Sequence, residues 1–212
     1  FSINDVLDAL KDKTVTNVDE ALAQIPSQYR EHFMVSFDSL SRQSGTTDAP
    51  RILFASPDAK AVFTVTGAGK NSDQIEFMQF KDDRYEFTIG VIENNRVKQI
   101  QPTPGQCTGC HHADARPNWQ SYPSWPGFLG AGRNSRSEPA ILAHLKNDLA
   151  KQPVYRNLPR IDILKLYDFE NRNKAFTSAM GGNNAMRISR LIRTSPEYAK
   201  WKYAIFAATV CP

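Results

Sequence analysis

The spacing of hydrophobic and polar residues predicts helices in the first part of the chain. Residues 2–11 are expected to form a short helix. Asn17 and Glu20 have the spacing of an N-cap and a capping box, which predicts a second helix over residues 18–25. Residues 28–37 are expected to continue as helix. The chain is therefore predicted to begin with an all-helical segment.

The period then changes to that of β-strands. Five runs are rich in β-branched and aromatic residues and are separated by turn residues: 51–55, 61–66, 74–80, 85–93 and 97–100. Together they predict an antiparallel meander. In the third run, Ile75 and Phe77 share one face while Met78 and Phe80 share the other, because side chains alternate along a strand. Neither face is purely polar, so this strand is expected to be covered on both sides.

The pattern changes again after residue 100. Residues 116–130 contain repeated prolines and aromatic residues, and proline removes a backbone donor and fixes φ, which excludes a regular helix there. Helix signals return in four segments: 137–151, 160–170, 183–193 and 195–210. The C-terminal part is therefore predicted to be a loop followed by helices.

A short motif lies between the predicted sheet and the predicted helices. Cys107 and Cys110 are three residues apart, and His111 follows at once, which is the attachment signature of c-type haem. Two cysteines on one tight turn can each form a thioether to a haem vinyl group, and the next side chain then offers an imidazole nitrogen to the iron. His111 is therefore the expected proximal ligand, and haem c the expected cofactor.

Two other interpretations of this motif remain open. A Cys-x-x-Cys pair can be half of a zinc site, although no second such pair or His-x-x-x-His is present to complete four ligands. A redox-active dithiol is the second alternative, but such a motif normally opens the helix of a βαβ unit, whereas a turn-rich segment precedes Cys107. The third cysteine, Cys211, is too distant to belong to the motif.

The motif completes the predicted fold. We expect an α+β fold in which N-terminal helices and an antiparallel β meander are followed by the haem motif, a proline- and aromatic-rich loop and a mainly helical C-terminal part. A single domain over residues 1–212 is predicted. The alternative subdivision has a helix-plus-sheet part over residues 1–100 and a haem-binding helical part over residues 101–212.

The side chains after the motif suggest how a haem would be enclosed. Trp119, Tyr122 and Trp125 are flat groups suited to pack against a porphyrin, or equally against the protein's own core. Arg116 is a candidate partner for a haem propionate, because guanidinium binds a carboxylate through two parallel hydrogen bonds.

The sixth iron ligand separates two functions. Met180 lies in a glycine-rich stretch that is expected to form a loop, and it is the methionine best suited to reach the iron. His/Met ligation raises the potential and favours electron transfer, whereas an open sixth position permits gas binding or peroxide chemistry. Met180 can instead be a packing residue, since methionine commonly fills gaps in a core.

Charge is divided unevenly along the chain. Residues 1–111 carry 11 basic and 15 acidic residues, a net charge of −4, whereas residues 112–212 carry 15 and 7, a net charge of +8. The basic half could dock an acidic redox partner. Its positive residues are scattered, so nucleic acid is not expected as a partner. No apolar run approaches the ~20 residues of a membrane span, so a membrane-spanning protein is not expected either.

Through the Cys107-x-x-Cys110-His111 motif, the chain resembles c-type cytochromes. The resemblance implies an exported monohaem protein that transfers electrons, with a periplasmic or otherwise extracytoplasmic location. The chain begins at Phe1 without a basic and apolar leader, so a signal peptide is expected to be missing from it. In small cytochromes the motif lies near the start of a helical domain, whereas here it follows a β meander. The alternatives are a haem enzyme or sensor with an open sixth site, and a zinc or dithiol interaction domain.

Overall fold

The computed structural model describes residues 1–39, 41–100, 104–117, 127–132 and 137–210. Its helices are α1 (Ile3–Leu10), α2 (Val18–Gln24), α3 (Gly105–His111), α4 (Glu138–Asn147), α5 (Leu166–Thr194) and α6 (Tyr198–Val210). Its strands are β1 (Phe33–Ser36), β2 (Arg51–Ala55), β3 (Ala61–Thr66), β4 (Gln74–Lys81), β5 (Arg84–Glu93) and β6 (Arg96–Gln99). The predicted α+β class is confirmed.

The strands form one antiparallel sheet of six strands, each paired with its neighbour in sequence. This confirms the predicted meander. The helix predicted over residues 28–37 is wrong, because the chain makes only a 3-10 turn at Ser27–Tyr29 before it enters β1. Phe33 of β1 pairs with Phe54 of β2, and all four residues of β1 are buried. Pairing at the sheet edge buries both faces of this segment, which a surface helix could not do.

Both faces of the sheet are covered by apolar packing. Ile75 and Phe77 belong to a first cluster, which also contains the apolar residues of α1 and α2. Met78 and Phe80 belong to a second cluster on the opposite face. The expectation that β4 is covered on both sides is confirmed. Each cluster includes residues from before and after residue 100.

Helix α5 is longer than predicted. It runs unbroken for 29 residues, so the two helices expected at 160–170 and 183–193 are one helix that begins at Leu166. It contains Gly181 and Gly182, each of which costs ~1 kcal/mol in a helix relative to alanine. Burial of Phe176 and Met180 in the second cluster offsets that cost. No helix in the described part of the chain combines the length and apolar character needed to cross a membrane.

A buried carboxylate joins α2 to the segment after α4. Asp19 accepts hydrogen bonds from the backbone N–H of Val154 at 2.8 Å, from Asn157 at 2.7 Å and from the guanidinium of Arg156. Burial by itself raises the pKa of Asp19, but the hydrogen bonds from Arg156 and Val154 outweigh it, so the pKa is lowered. The charged form is therefore the one that stabilises the folded state.

We predict that Asp19→Asn lowers the free energy of unfolding at pH 7 by about 1–3 kcal/mol, because charge-assisted hydrogen bonds are lost. A carboxylate whose pKa is lowered on folding stabilises fully above its unfolded pKa, and this contribution disappears as the pH falls through the folded value. The difference between variant and wild type should therefore shrink as the pH falls below about 4. Urea denaturation at pH 7 and pH 3 measures it. Asp8→Asn, at an exposed position of α1, serves as the control and should change little. An equal loss at both pH values would contradict the assigned role of the charge.

Candidate functional site

The motif lies on α3, which begins after Pro104 and ends at His111. Residues three and four apart share one face of a helix, so Cys107, Cys110 and His111 all project from the same side of α3. Gly105 and Gly109 lie on the opposite side, where a Cβ atom would meet nothing within 4 Å. On the face with the cysteines and the histidine, Cys107 and His111 are half-buried against the protein, whereas Cys110 is exposed.

The imidazole of His111 has a defined tautomer. Its Nδ1 lies 2.7 Å from the backbone carbonyl oxygen of Arg116, and because a carbonyl only accepts, Nδ1 carries the proton. The ring also packs on Phe87, with 4.2 Å between the ring centroids. Burial lowers the pKa of His111, and this outweighs the opposing effect of the Arg116 hydrogen bond, so the neutral ring is favoured. The lone pair of Nε2 is then available to a metal, and the Nδ1 hydrogen bond fixes the orientation of the ring.

A strained turn brings the carbonyl of Arg116 back to His111. His112 ends α3 with φ 65° and ψ 172°, a conformation that residues other than glycine rarely adopt. The backbone N–H of Arg116 donates to the carbonyl oxygen of His111 at 3.1 Å, which closes the turn. The guanidinium of Arg116 is 2.9 Å from Nε2 of His112. Pairing of Arg116 with a haem propionate stays a prediction.

Asp114 anchors this turn to α5. Its carboxylate accepts a hydrogen bond from Arg190 at 2.5 Å, and its other oxygen lies 2.8 Å from the guanidinium of Arg187 in an ion pair; both guanidinium groups are largely buried. Arg187 also donates to the backbone carbonyl of Asp114 at 3.0 Å. Arg190 donates in addition to the backbone carbonyl of Asp83, in the turn between β4 and β5. The segment that orients His111 is thus held between α5 and the sheet.

Sequence reasoning missed the two arginines. Arg187 and Arg190 are three residues apart in a segment that is predicted to be helical, so a shared face was foreseeable. Their partner Asp114 is distant in sequence, and no local pattern links the two. Only the fold brings these charges together.

Cys107 is half-buried and packs against the second cluster. Burial, with a smaller contribution from the charge of Glu76, raises the pKa of its thiol to about 11. A reactive dithiol requires the opposite, a lowered thiol pKa. Cys107 and Cys110 are both free thiols, and Cys110 is exposed.

Met180 is fully buried in the second cluster. The glycine-rich loop expected around it is wrong, because Met180 lies within α5. The continuous helix is stabilised by the packing of Phe176 and Met180 against the sheet. Tyr85 donates a hydrogen bond to the backbone carbonyl of Met180 at 3.4 Å. Ligation of iron by Met180 stays a prediction.

Four residues named in the sequence analysis fall outside the described part of the chain. Trp119, Tyr122 and Trp125 lie outside the described residues, as does Cys211. Within the described ranges, no group of three or more His, Cys, Asp and Glu side chains is arranged to hold a metal ion. The chemistry of the motif itself fits haem c, because α3 offers two free thiols and one neutral imidazole from a single face.

Comparison with known proteins adds no relative to this picture. No family model, no curated protein and no solved structure matches the chain.

We predict that Asp114→Ala lowers the free energy of unfolding by about 2–4 kcal/mol, because it leaves two largely buried guanidinium groups without their carboxylate. Urea denaturation measures the loss, and NMR should show faster solvent exchange of the His111 Nδ1 proton. Asp162→Ala, at an exposed position before α5, is the control and should leave both quantities nearly unchanged. Wild-type stability in Asp114→Ala would show that this anchor does not hold the turn.

Proposed function

We propose that this protein is an exported monohaem c-type cytochrome-like protein that transfers electrons, with His111 as the proximal iron ligand. The observation that carries the proposal is the hydrogen bond from His111 Nδ1 to the Arg116 carbonyl, on the same helix face as two free thiols. It leaves Nε2 as a preorganised neutral donor, which is what an iron-binding histidine requires. When bound, haem supplies a one-electron couple between ferric and ferrous iron.

The two cysteines supply the covalent link. Each S–H group would add across the C=C bond of one vinyl group, so that the sulfur would form a thioether and the hydrogen would go to the second vinyl carbon. This addition is balanced and consumes no oxidant. Burial raises the pKa of Cys107, so its thiol is protonated in the folded chain.

The surroundings of His111 would tune its donor strength. A hydrogen bond to a carbonyl oxygen increases the basicity of the opposite ring nitrogen, which strengthens a bond from Nε2 to iron. Phe87 and the second cluster keep water from one side of the ring. The anchor from Asp114 to Arg187 and Arg190 holds the acceptor carbonyl in place.

The sequence supplies the rest of the proposal. Trp119, Tyr122 and Trp125 would pack on the porphyrin, and Arg116 would pair with a propionate. The net charge of +8 over residues 112–212 suits an acidic redox partner. Attachment of haem c takes place after export, which favours a periplasmic or otherwise extracytoplasmic location.

A second function, a haem enzyme or sensor with an open sixth position, is favoured by one observation. Met180 is fully enclosed in the apolar second cluster and fixed within α5. A thioether that already fills a core position has to leave it before it can bind iron, and that leaves a cavity. The sixth position is then free for a gas or a peroxide.

We predict that the exported full chain, produced together with a cytochrome c maturation system, carries one covalently bound haem. Its pyridine haemochrome spectrum and haem staining after denaturation measure this. Cys107→Ala combined with Cys110→Ala should abolish the covalent haem, because both thioether sulfurs are removed. Cys211→Ala is the matched control and should retain the haem, because this cysteine lies outside the motif. A wild-type chain that holds one zinc ion, or a Cys107–Cys110 disulfide, and no haem would overturn the proposal.

Met180→Leu tests the sixth position. With an open sixth position, the second function predicts that the reduced variant binds carbon monoxide at the wild-type rate, because Met180 is then a core residue and leucine preserves its volume. Stopped-flow spectroscopy measures the rate. Met34→Leu, another buried methionine of the second cluster, is the control. Prompt binding in the Met180 variant alone would identify Met180 as the sixth ligand and support electron transfer. Prompt binding in all three proteins would support the enzyme or sensor.

A further inference from the structure

The last two helices of the described chain carry an unusual apolar surface. α6 has 13 residues, among them Lys200 and Lys202, and no charged residue occurs from position 203 to position 210. Every described side chain from Ala199 to Val210 is exposed. Tyr203 is 76% exposed, Phe206 66% and Val210 58%. Large apolar groups that a folded protein normally buries are therefore open to water at this end of the molecule.

Residues 203–210 of α6 have no charged residue on any side of the helix. At ~100° per residue, Tyr203, Phe206 and Val210 form one stripe, Ile205 lies on another side of the helix, and the remaining positions are alanines and one threonine. An amphipathic helix buries one stripe and exposes the other. A helix that is apolar all round is instead found in a core or in lipid.

The end of α5 has its polar and apolar sides reversed relative to a surface helix. Arg187 and Arg190 point inward to Asp114, where they are largely buried. Four large apolar residues of the same turns are exposed beside Ser189 and Arg193: Met186, Ile188, Leu191 and Ile192. We call these four residues together with residues 198–210 the C-terminal apolar surface. It extends over both helices, which are joined by residues 195–197.

The first turns of α6 have the groups found at a membrane interface. The ammonium group of Lys200 lies 4.9 Å from the ring centroid of Trp201, and that of Lys202 lies 5.0 Å from the ring centroid of Tyr203. Cationic side chains beside tryptophan and tyrosine are typical of the headgroup region, where one end of each group is apolar and the other is hydrated. The net charge of +8 over residues 112–212 favours anionic headgroups.

The length of the apolar segment fits one leaflet. Eight helical residues at 1.5 Å each extend about 12 Å, compared with about 15 Å for half of the hydrocarbon core. A second copy of the chain that covered the stripe of Tyr203, Phe206 and Val210 would leave Ile205 in water. Immersion in lipid covers every side at once.

We propose that α6 docks this protein on the surface of an anionic lipid bilayer. Residues 203–210 enter one leaflet, and Lys200, Trp201 and Lys202 lie at the level of the headgroups. The apolar end of α5 rests on the same surface. This proposal is independent of the haem proposal, because it uses neither the motif nor α3.

Co-sedimentation of the full chain with phospholipid vesicles tests the docking. We expect binding to vesicles that contain phosphatidylglycerol, and much weaker binding to pure phosphatidylcholine. Ile205→Glu combined with Val210→Glu should reduce binding by about tenfold or more, because charge is placed in the inserted segment. Lys200→Gln and Lys202→Gln should each weaken binding to the anionic vesicles by about fivefold.

Ile163→Glu is the matched control. Ile163 is a 52% exposed apolar residue before α5, separated from the C-terminal apolar surface by the length of that helix. Its substitution should leave vesicle binding unchanged. All the substituted positions are exposed, and circular dichroism verifies that the variants fold.

Two results would overturn the docking proposal. One is a wild-type chain that fails to sediment with either kind of vesicle. The other is a dimer in sedimentation equilibrium without lipid that the Ile205→Glu and Val210→Glu variant converts to a monomer, together with no vesicle binding. That second result would assign the surface to another copy of the chain.

Discussion

The antiparallel sheet has two apolar faces, and the rest of the fold follows from the need to cover both. Helices α1 and α2 contribute to the cluster on one face, which includes Phe63 and Phe77. The opposite face, with Met78 and Phe87, is covered by the middle of α5 and contacted by Cys107 of α3. Removal of apolar area from water on both sides of one sheet is the dominant favourable term. It also brings the motif helix onto the sheet.

The candidate site depends on this second face and on one ionic anchor. Phe87 projects from β5 against the ring of His111, while Asp114 ties the following turn to two arginines of α5. Partly buried ion pairs of this kind add little stability compared with apolar packing, but their loss is costly. Their contribution here is positional, since they hold the Arg116 carbonyl that orients the His111 ring.

The pattern of neighbouring residues was sufficient to predict much of the fold and to identify the Cys-x-x-Cys-His motif. The five predicted strands follow from alternation and turn residues, and α1, α2, α4 and α6 from helix signals, because these are short-range features. β1 was missed because its pairing with β2, distant in sequence, overrides the helical signal of residues 28–37. The single long α5 was missed because tertiary packing outweighs the cost of Gly181 and Gly182. The Nδ1 hydrogen bond of His111 and the partners of Asp114 require the folded chain, so no sequence pattern could supply them.

Covalent attachment of haem to α3 is the central claim, and peptide mass spectrometry tests it most directly. The exported full chain would be denatured in acid, which removes non-covalent haem, and digested. With haem attached, the peptide with both Cys107 and Cys110 is expected to carry the mass of one haem, with no alkylatable thiol at either position. Recovery of that peptide without haem, with both thiols alkylated, after production with a working maturation system would contradict it.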